Sequence, residues 1–304
     1  MEDLRRLGFK PDRRRGQNFL FDPQLLEALI DDAGLPPGAR VLEVGAGAGT
    51  LTRRLIDRGH RVTAVEIDPR LVRYLREALT PERFIDSAGN TCAGIAASAS
   101  RFTLLGGDAL SGKNQLNPLL VAELSSLAEP FHLVANLPYA IATPLVQLLL
   151  DLPASYHIES IGALVQREVA LRWGAHVGTH DYAAISVAFQ LLGEGHIGRR
   201  ISRQLFSPPP QVESCFFTWS RTPGRLWSPS RRAAFQLARR LFVHRRKMVR
   251  SILKEAAPAV DWEGVGVAPD LRPEGLSPEA LERLAAELAR VECPPQSPPS
   301  TVGG

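Results

Sequence analysis

Four consecutive residues, Asn136-Leu137-Pro138-Tyr139, bring an amide, backbone carbonyls and an aromatic ring together directly after a short apolar run, 131–135. Pro138 fixes its own φ and disfavours the helical region for Leu137, so we expect a stiff turn. An Asn oxygen can accept a hydrogen bond from an exocyclic amine, and a Tyr ring can stack on a planar base. This chemistry suits a planar, amino-bearing group such as adenine. The alternative is an ordinary strand-to-helix loop, because Asn and Pro are common in turns.

A glycine-rich loop containing Gly45, Gly47 and Gly49 follows the apolar segment 40–44. Its G-x-G-x-G spacing lacks the third glycine of the dinucleotide-binding pattern G-x-G-x-x-G, because position 50 is Thr. Glu43 precedes the loop, and a carboxylate there is unfavourable for a phosphate but compatible with a sulfonium or an ammonium group. For the glycines alone, a nicotinamide or flavin site remains an equal alternative.

Two acidic residues end neighbouring apolar segments. Glu66 ends the segment 62–66, where it could accept from ribose hydroxyls, and Asp108 follows the segment 101–105, where it could accept from an adenine amine. With Asn136 they lie at the carboxyl ends of successive predicted strands, which is where doubly wound sheets bind ligands. The combination resembles the S-adenosylmethionine site of class I methyltransferases.

Longer motifs resemble one family, the rRNA adenine N6,N6-dimethyltransferases, and within it the bacterial small-subunit (16S) type. The resemblance runs in unbroken order from about residue 13 to residue 290. The matching segments are 16–20, 45–52, 65–68, 107–109, 136–139 with 143–144, 166–169, 206–214 and 242–253. The Phe-Ser-Pro-Pro-Pro sequence from Phe206 and the Arg-Arg-Lys sequence from Arg245 are specific to the family, whereas the glycine loop is not.

The resemblance implies two overlapping sets of site residues. The cofactor-binding set is Asn18, Leu20, Gly45, Gly47, Glu66, Asp108, Ala109 and Asn136, and the catalytic set is Asn136, Leu137, Tyr139 and Phe206. In the first set Asn18 and Leu20 would hold the methionine end of the cofactor, Glu66 its ribose and Asp108 its adenine. In the second set the Asn136 amide and the Leu137 carbonyl would orient the target N6. Tyr139 would stack on the target base, and Phe206 would form a second aromatic wall, the alternative being a plain core residue.

The implied reaction is S-adenosylmethionine-dependent dimethylation of two adjacent adenines in the 3′-terminal hairpin loop of small-subunit rRNA. The implied partner is a partly assembled 30S subunit. Two alternatives remain: a large-subunit rRNA methyltransferase that confers antibiotic resistance, and a non-catalytic RNA-binding assembly factor on the same fold. Ala46 and Ala140 depart from the family pattern, which usually has Pro and Asn there.

The strongest cluster of basic residues lies toward the C-terminus and comprises Arg239, Arg245, Arg246, Lys247 and Arg250. We predict that this cluster lies on helices and that Arg239, Arg246 and Arg250 form one stripe that contacts RNA phosphates. The alternative is a solvated helix face. The net charge of +4 is compatible with a polyanionic partner.

The order strand, glycine turn, helix, strand over 40–79 predicts an α/β fold with a doubly wound parallel sheet. We expect a Rossmann-like, seven-stranded class I methyltransferase sheet followed by a small all-helical domain. The predicted boundaries are a basic flexible arm (1–15), a cofactor-binding domain (16–222), a helical RNA-recognition domain (223–293) and a disordered tail (294–304). Residues 86–100 are predicted to form an irregular insertion.

The remaining expectations concern what the protein lacks. The three cysteines have no metal-binding or redox spacing, no stretch is long enough for a membrane span, and the start Met-Glu-Asp has no apolar signal core. We therefore expect a cytoplasmic monomer without a metal.

Overall fold

The computed structural model describes residues 9–12, 17–93, 96, 99–112 and 114–292. These residues form two compact units. Unit 1 contains the described residues up to Gly174 together with Gly193–Gly224, and unit 2 contains Ala175–Leu192 and the described residues from Arg225 onward. Most of the predicted arm and the whole predicted tail lie outside the described residues.

Unit 1 contains, within its described residues, one large mixed sheet and two small two-stranded sheets. Its strands are β1 (Phe19–Leu20), β2 (Arg40–Val44), β3 (Arg61–Glu66), β4 (Arg83–Ile85), β5 (Thr91–Ala93), β6 (Phe102–Gly106), β7 (Leu110–Gly112), β8 (Gln115–Leu116), β9 (Phe131–Asn136), β10 (Ile158–Gln166), β11 (Gly193–Ile201), β12 (Phe206–Ser207) and β13 (Ser214–Arg221). Within the described residues, the main sheet has the order β11-β13-β10-β9-β2-β3-β6-β4-β5, and the two small sheets are β1-β12 and β7-β8. Neighbours from β10 to β4 are parallel, whereas β13 is antiparallel to both β10 and β11. Strands β2 and β6 are buried along their whole length, as expected for a parallel sheet covered on both faces.

The α/β class and the seven strands from β11 to β6 agree with the sequence-based prediction. The insertion does not, because the chain forms β4 before it and β5 within it, and these two strands pair as an antiparallel hairpin at the sheet edge. Asp86 stabilises the turn, since its Oδ1 accepts from the backbone N–H groups of Ala88 (2.9 Å) and Asn90 (2.8 Å). Gly89 completes the turn with a φ of +85°. These hydrogen bonds to the Asp86 side chain stabilise the hairpin turn. The small residues of the segment show no alternation of apolar and polar side chains, so the sequence did not predict strands there.

The helices of unit 1 are α1 (Pro23–Asp32), α2 (Thr50–Asp57), α3 (Pro69–Leu79), α4 (Pro118–Ser125), α5 (Ala142–Leu150) and α6 (Arg167–Trp173). Several begin with the same local signal, a capping side chain followed by proline. Asp22 accepts from the N–H of Leu25 at 2.9 Å, and Asp68 accepts from the N–H of Arg70 at 3.0 Å. Such a cap stabilises a helix by about 0.5–2 kcal/mol, and α3 starts with only two residues between it and the end of β3.

Unit 2 consists of the helices α7 (Ala184–Leu192), α8 (Pro229–Phe242), α9 (Val249–Leu253), α10 (Trp262–Val265) and α11 (Pro278–Glu292). The predicted domain boundary was 222/223, whereas residues 175–192 group with the described residues from Arg225 onward in unit 2. Tyr182 explains why they belong here. Its hydroxyl donates to the carbonyl of Leu276 at 3.1 Å, and its ring packs edge-on against Phe242 at 5.7 Å.

The prediction that the basic cluster lies on helices is only partly correct. Residues 243–248 form a turn, and α9 begins only at Val249. The N–H of Val249 donates to Leu271 at 2.8 Å and that of Arg250 donates to Pro269 at 3.1 Å. These contacts replace the bonds that a continuous helix would make to the carbonyls four residues earlier. Within the described residues, no helix is both long and apolar enough to cross a membrane.

Candidate active site

A cavity in unit 1 lies at the carboxyl ends of β2, β3 and β9. Its wall is formed by the loop 17–20, the glycine loop after β2, Glu66-Ile67 at the end of β3, and residues 134–139 at the end of β9. None of its described lining residues is Lys, Arg or His, whereas Glu43 and Glu66 both line it. The cavity therefore favours a ligand that carries positive charge.

The glycine loop needs glycine for two reasons. Gly45, Gly47 and Gly49 have φ values of +82°, +59° and +71°, in the left-handed region that other residues rarely adopt. A Cβ on Gly47 would also lie 3.0 Å from Cε1 of Phe19. The loop thus holds its backbone close to the N-terminal segment and against the cavity.

Glu66 connects the glycine loop to the end of β3. Its Oε2 accepts from the N–H of Gly47 at 2.8 Å, and its Oε1 accepts from the N–H of Asp68 at 2.8 Å. The residue is only 4% exposed, and burial raises the pKa of its carboxyl. Its carboxyl therefore lies in a fixed position on the cavity wall.

Glu43 is the second carboxyl of the cavity. The Thr52 hydroxyl donates to its Oε2 at 2.6 Å, and burial raises the pKa of Glu43 to about 8. The sequence indicated that a carboxylate at Glu43 disfavours a phosphate. It did not predict the hydrogen bond between Glu43 and Thr52, which depends on how the helix α2 packs on β2.

The turn after β9 carries the amide and the aromatic ring to the same cavity. The Nδ2 of Asn136 donates to the carbonyl of Asn18 at 2.9 Å, which leaves the amide oxygen as an acceptor. Pro138 packs against the glycine loop, since a Cβ on Gly45 would lie 3.2 Å from its ring. The Tyr139 hydroxyl is hydrogen bonded to the Oγ of Ser214 at 2.7 Å, and burial raises the pKa of Tyr139.

The N-terminal loop is held over the cavity by two side-chain hydrogen bonds and one strand pairing. Gln17 donates to the Oδ2 of Asp68 at 3.0 Å, and the Thr50 hydroxyl donates to the carbonyl of Leu20 at 3.0 Å. Leu20 also pairs with Phe206 in the short β1–β12 ladder. Asn18 and Leu20 are thereby brought to the cavity wall.

Comparison with known proteins identifies one family over almost the whole chain. The sequence profile described as "Ribosomal RNA adenine dimethylase" matches residues 8–289. The chain belongs to the ribosomal RNA adenine dimethylase family. As a member of this family it is an enzyme that methylates adenine in ribosomal RNA.

Among the relatives, the ribosomal RNA small subunit methyltransferase A of Leifsonia xyli subsp. xyli is 36% identical, with 92% of this chain and 93% of the relative covered. The protein of the same name from Bifidobacterium adolescentis is 31% identical, with 95% and 93% covered. The crystal structure of the 23S rRNA methyltransferase ErmE is 26% identical, covers 89% of this chain and 99% of its own, and has a TM-score of 0.62. A dimethyladenosine transferase from Plasmodium falciparum, 19% identical, has the same fold with a TM-score of 0.68 over 90% of this chain and 98% of its own.

The structure of this family member brings eight of the predicted site residues to the cavity: Asn18, Leu20, Gly45, Gly47, Glu66, Asn136, Leu137 and Tyr139. Asp108 and Ala109 lie at the same edge of the sheet, after β6, but do not line the cavity. Asp108 is exposed, and its Oδ1 accepts from the N–H of Leu110 at 3.0 Å, whereas Ala109 is buried.

Phe206 does not form an aromatic wall in this structure. Its side chain is 3% exposed and belongs to the hydrophobic core, together with Leu20 and Leu26, because the β1–β12 ladder fixes it there. The core interpretation of Phe206 is therefore the one that the structure supports. Ser214 was missed as a site residue, because its contact with Tyr139 depends on strand pairing that sequence spacing does not reveal.

The basic cluster lies in unit 2. Arg239 is near the C-terminus of α8, Arg245, Arg246 and Lys247 lie on the following turn, and Arg250 is in α9. All except Arg245 are exposed; Arg245 donates from Nη2 to the carbonyl of His180 at 2.7 Å. The predicted stripe along helices is thus interrupted by the turn. In the described part of the chain, no group of three or more His, Cys, Asp and Glu side chains could hold a metal ion.

Proposed function

We propose that this enzyme uses S-adenosylmethionine to dimethylate N6 of two adjacent adenines in the 3′-terminal hairpin loop of small-subunit (16S) rRNA. The observation that carries the proposal is the cavity, which has two buried carboxyl groups, no cationic lining residue among those described, and the Asn136–Tyr139 turn at its edge. A sulfonium and an ammonium group fit such a lining, whereas the pyrophosphate of a dinucleotide does not.

We assign the cofactor-binding roles that the family resemblance implies, and the cavity lining supports those of Asn18, Leu20, Gly45, Gly47 and Glu66. Asn18, Leu20, Gly45 and Gly47 would hold the methionine end, and Glu66 would accept from the ribose hydroxyls. Asp108 and Ala109 would contact the adenine; the exposed carboxylate of Asp108 is accessible to an amine at the end of β6. When bound, S-adenosylmethionine supplies an electrophilic methyl group.

The chain's own contribution to the reaction is to orient a poor nucleophile. The N6 lone pair of adenine is delocalised into the ring, so the nitrogen must pyramidalise to attack. The Nδ2 of Asn136 already donates to the Asn18 carbonyl, and its amide oxygen and the Leu137 carbonyl can accept hydrogen bonds from the two N6–H groups. Tyr139 can stack on the base, which must first leave its helix or loop stack. Such positioning accounts for most of the expected acceleration.

Asn136→Ala tests this assignment. We expect the variant to keep its fold and its RNA binding but to lose methylation, measured with a radiolabelled cofactor on undermethylated small subunits. Unchanged turnover would contradict the role of Asn136. A non-catalytic assembly factor would show no methylation with either protein.

The proposed RNA partner is supported by the relatives that carry the small-subunit name and by the basic cluster, of which four of the five residues are exposed. Arg239, Arg245, Arg246, Lys247 and Arg250 would contact phosphates of a partly assembled 30S subunit, in the cytoplasm, with the enzyme acting as a monomer. The similarity to ErmE, a 23S rRNA methyltransferase, makes a 23S substrate the second candidate. Incubation with undermethylated 30S and 50S subunits separates the two, because labelling of only the large subunit would exclude our proposal.

A further inference from the structure

The two carboxyl groups of the cavity differ in the hydrogen bonds that they receive. Both are almost fully buried, with Glu43 2% and Glu66 4% exposed. Glu66 accepts from two backbone N–H groups, which can only donate and therefore require lone pairs on both of its oxygens. Such bonds favour the ionised carboxylate.

Glu43 has a different kind of partner. Its Oε2 lies 2.6 Å from the hydroxyl of Thr52, which is itself fully buried. A hydroxyl can donate to a carboxylate or accept from a carboxylic acid by rotating its hydrogen. Thr52 can therefore bond to Glu43 in either charge state, whereas the backbone partners of Glu66 favour its ionised form.

The surroundings of Glu43 favour its neutral form when no ligand is bound. From α2 it faces the uncharged Thr52, from β3 it faces Glu66, and the segment of β9 that lines the cavity contributes Val134, Ala135 and Asn136. None of the described lining residues is a cation. Two acidic groups that share a buried site cannot both ionise easily, and burial raises the pKa of Glu43 to about 8.

We propose that Glu43 is protonated in the ligand-free enzyme and releases its proton to solvent when the cationic cofactor binds. The O–H bond of the carboxylic acid breaks, the proton goes to the buffer, and the carboxylate that remains faces the positive charge of the ligand. This inference rests on the proposed function, because it takes the ligand to be S-adenosylmethionine.

The expected size of the effect follows from proton linkage. A group with a pKa of about 8 is roughly nine-tenths protonated at pH 7. Binding should therefore release most of one proton per cofactor at pH 7. The Kd should fall about tenfold between pH 6 and pH 7, a range that lies below the pKa of about 7.7–8.0 at which the α-ammonium group of the ligand loses its own proton.

Isothermal titration calorimetry of the full chain with S-adenosylmethionine measures this directly. The titration is run at pH 7 in phosphate and in Tris, whose ionisation enthalpies differ, so the difference in heat gives the number of protons released. Glu43→Gln preserves size and can still bond to Thr52, and it should release no proton at pH 7 and lose the tenfold change in Kd between pH 6 and pH 7. Glu123→Gln is the matched control, since Glu123 is equally buried (3% exposed) but does not line the cavity, and its proton release should equal that of the unaltered enzyme.

The outcomes of these titrations separate the inference about Glu43 from the proposed function. Binding without proton release in the unaltered enzyme would overturn this inference and leave the proposed function intact. Release that persists in Glu43→Gln would assign the proton to another group and would also overturn it. Failure of the unaltered enzyme to bind S-adenosylmethionine would overturn both proposals. If Glu43→Gln does not fold, the absence of proton release from the unaltered enzyme would still overturn the inference.

Discussion

The hydrogen bond between Tyr139 and Ser214 should contribute measurably to the stability of unit 1. The two oxygens are 2.7 Å apart, and Ser214 is completely buried at the start of β13. Tyr139→Phe removes the phenolic hydroxyl and leaves the Ser214 hydroxyl without that partner. Because a buried hydroxyl that loses its partner costs about 1–3 kcal/mol, we expect a loss of that size.

The double-mutant cycle isolates this bond from other effects. Ser214→Ala should cost about 0.5–1.5 kcal/mol as a net hydrogen bond, and the double variant should be little worse than Tyr139→Phe alone, which gives a coupling free energy of about 1 kcal/mol. The matched control is Ser220→Ala, on the same strand but exposed, which should change stability by less than about 0.5 kcal/mol.

Native-state hydrogen exchange at increasing urea concentrations is the appropriate assay, because peptides from β9, β10 and β13 report on unit 1 alone. A coupling below about 0.3 kcal/mol would refute the argument, since residues that do not interact have additive effects. The same cycle measured on kcat/KM tests the proposed stacking role. If the bond orients the ring, each single variant should lose about fivefold in kcat/KM, which corresponds to about 1 kcal/mol, and the double variant no more.

The remaining predictions concern the glycine loop and a buried histidine. Gly49→Ala should cost about 2–4 kcal/mol of unfolding free energy, because its φ is +71° and a Cβ would lie 2.7 Å from Cδ2 of Leu75. Gly59→Ala, with a φ of +83° and no atom within 4 Å of the added Cβ, should cost only about 1 kcal/mol, and equal losses in chemical denaturation would contradict the packing argument. His60 is 5% exposed, and burial lowers its pKa, so the unfolded chain takes up its proton first and stability should fall as the pH drops below about 6.5. His60→Leu should flatten this decline by no more than about 1.4 kcal/mol per pH unit in unfolding titrations, and an unchanged slope would assign the decline to other groups such as His132.

Features with a local cause could be predicted from the sequence. The caps Asp22 and Asp68, each followed by proline, set helix starts, and the apolar runs set the strands of the parallel sheet. The cavity also followed, because the carboxyl ends of parallel strands meet at one edge, which brings Glu66 and Asn136 together.

Features that depend on contacts between distant segments could not be predicted. The position of Phe206 is decided by its pairing with Leu20, and the break before α9 is decided by the carbonyls of Pro269 and Leu271. The basic residues of 243–248 are compatible with a helix by their intrinsic preference, so only the tertiary contact distinguishes a turn from a helix there. Tertiary contacts likewise assign Tyr182 to unit 2.

The β1–β12 ladder also constrains when the cavity can form during synthesis. A chain leaves the ribosome from its N-terminus, so β2, β3 and the glycine loop emerge long before Phe206 and Ser207. Asn18 and Leu20, which cover the cavity, can be fixed by this ladder only after those two residues have emerged, and the closure of so long a loop is entropically costly. A nascent chain that ends before β12 therefore lacks the strand that secures one wall of the cavity. The binding site is completed by one of the last parts of unit 1 to be translated.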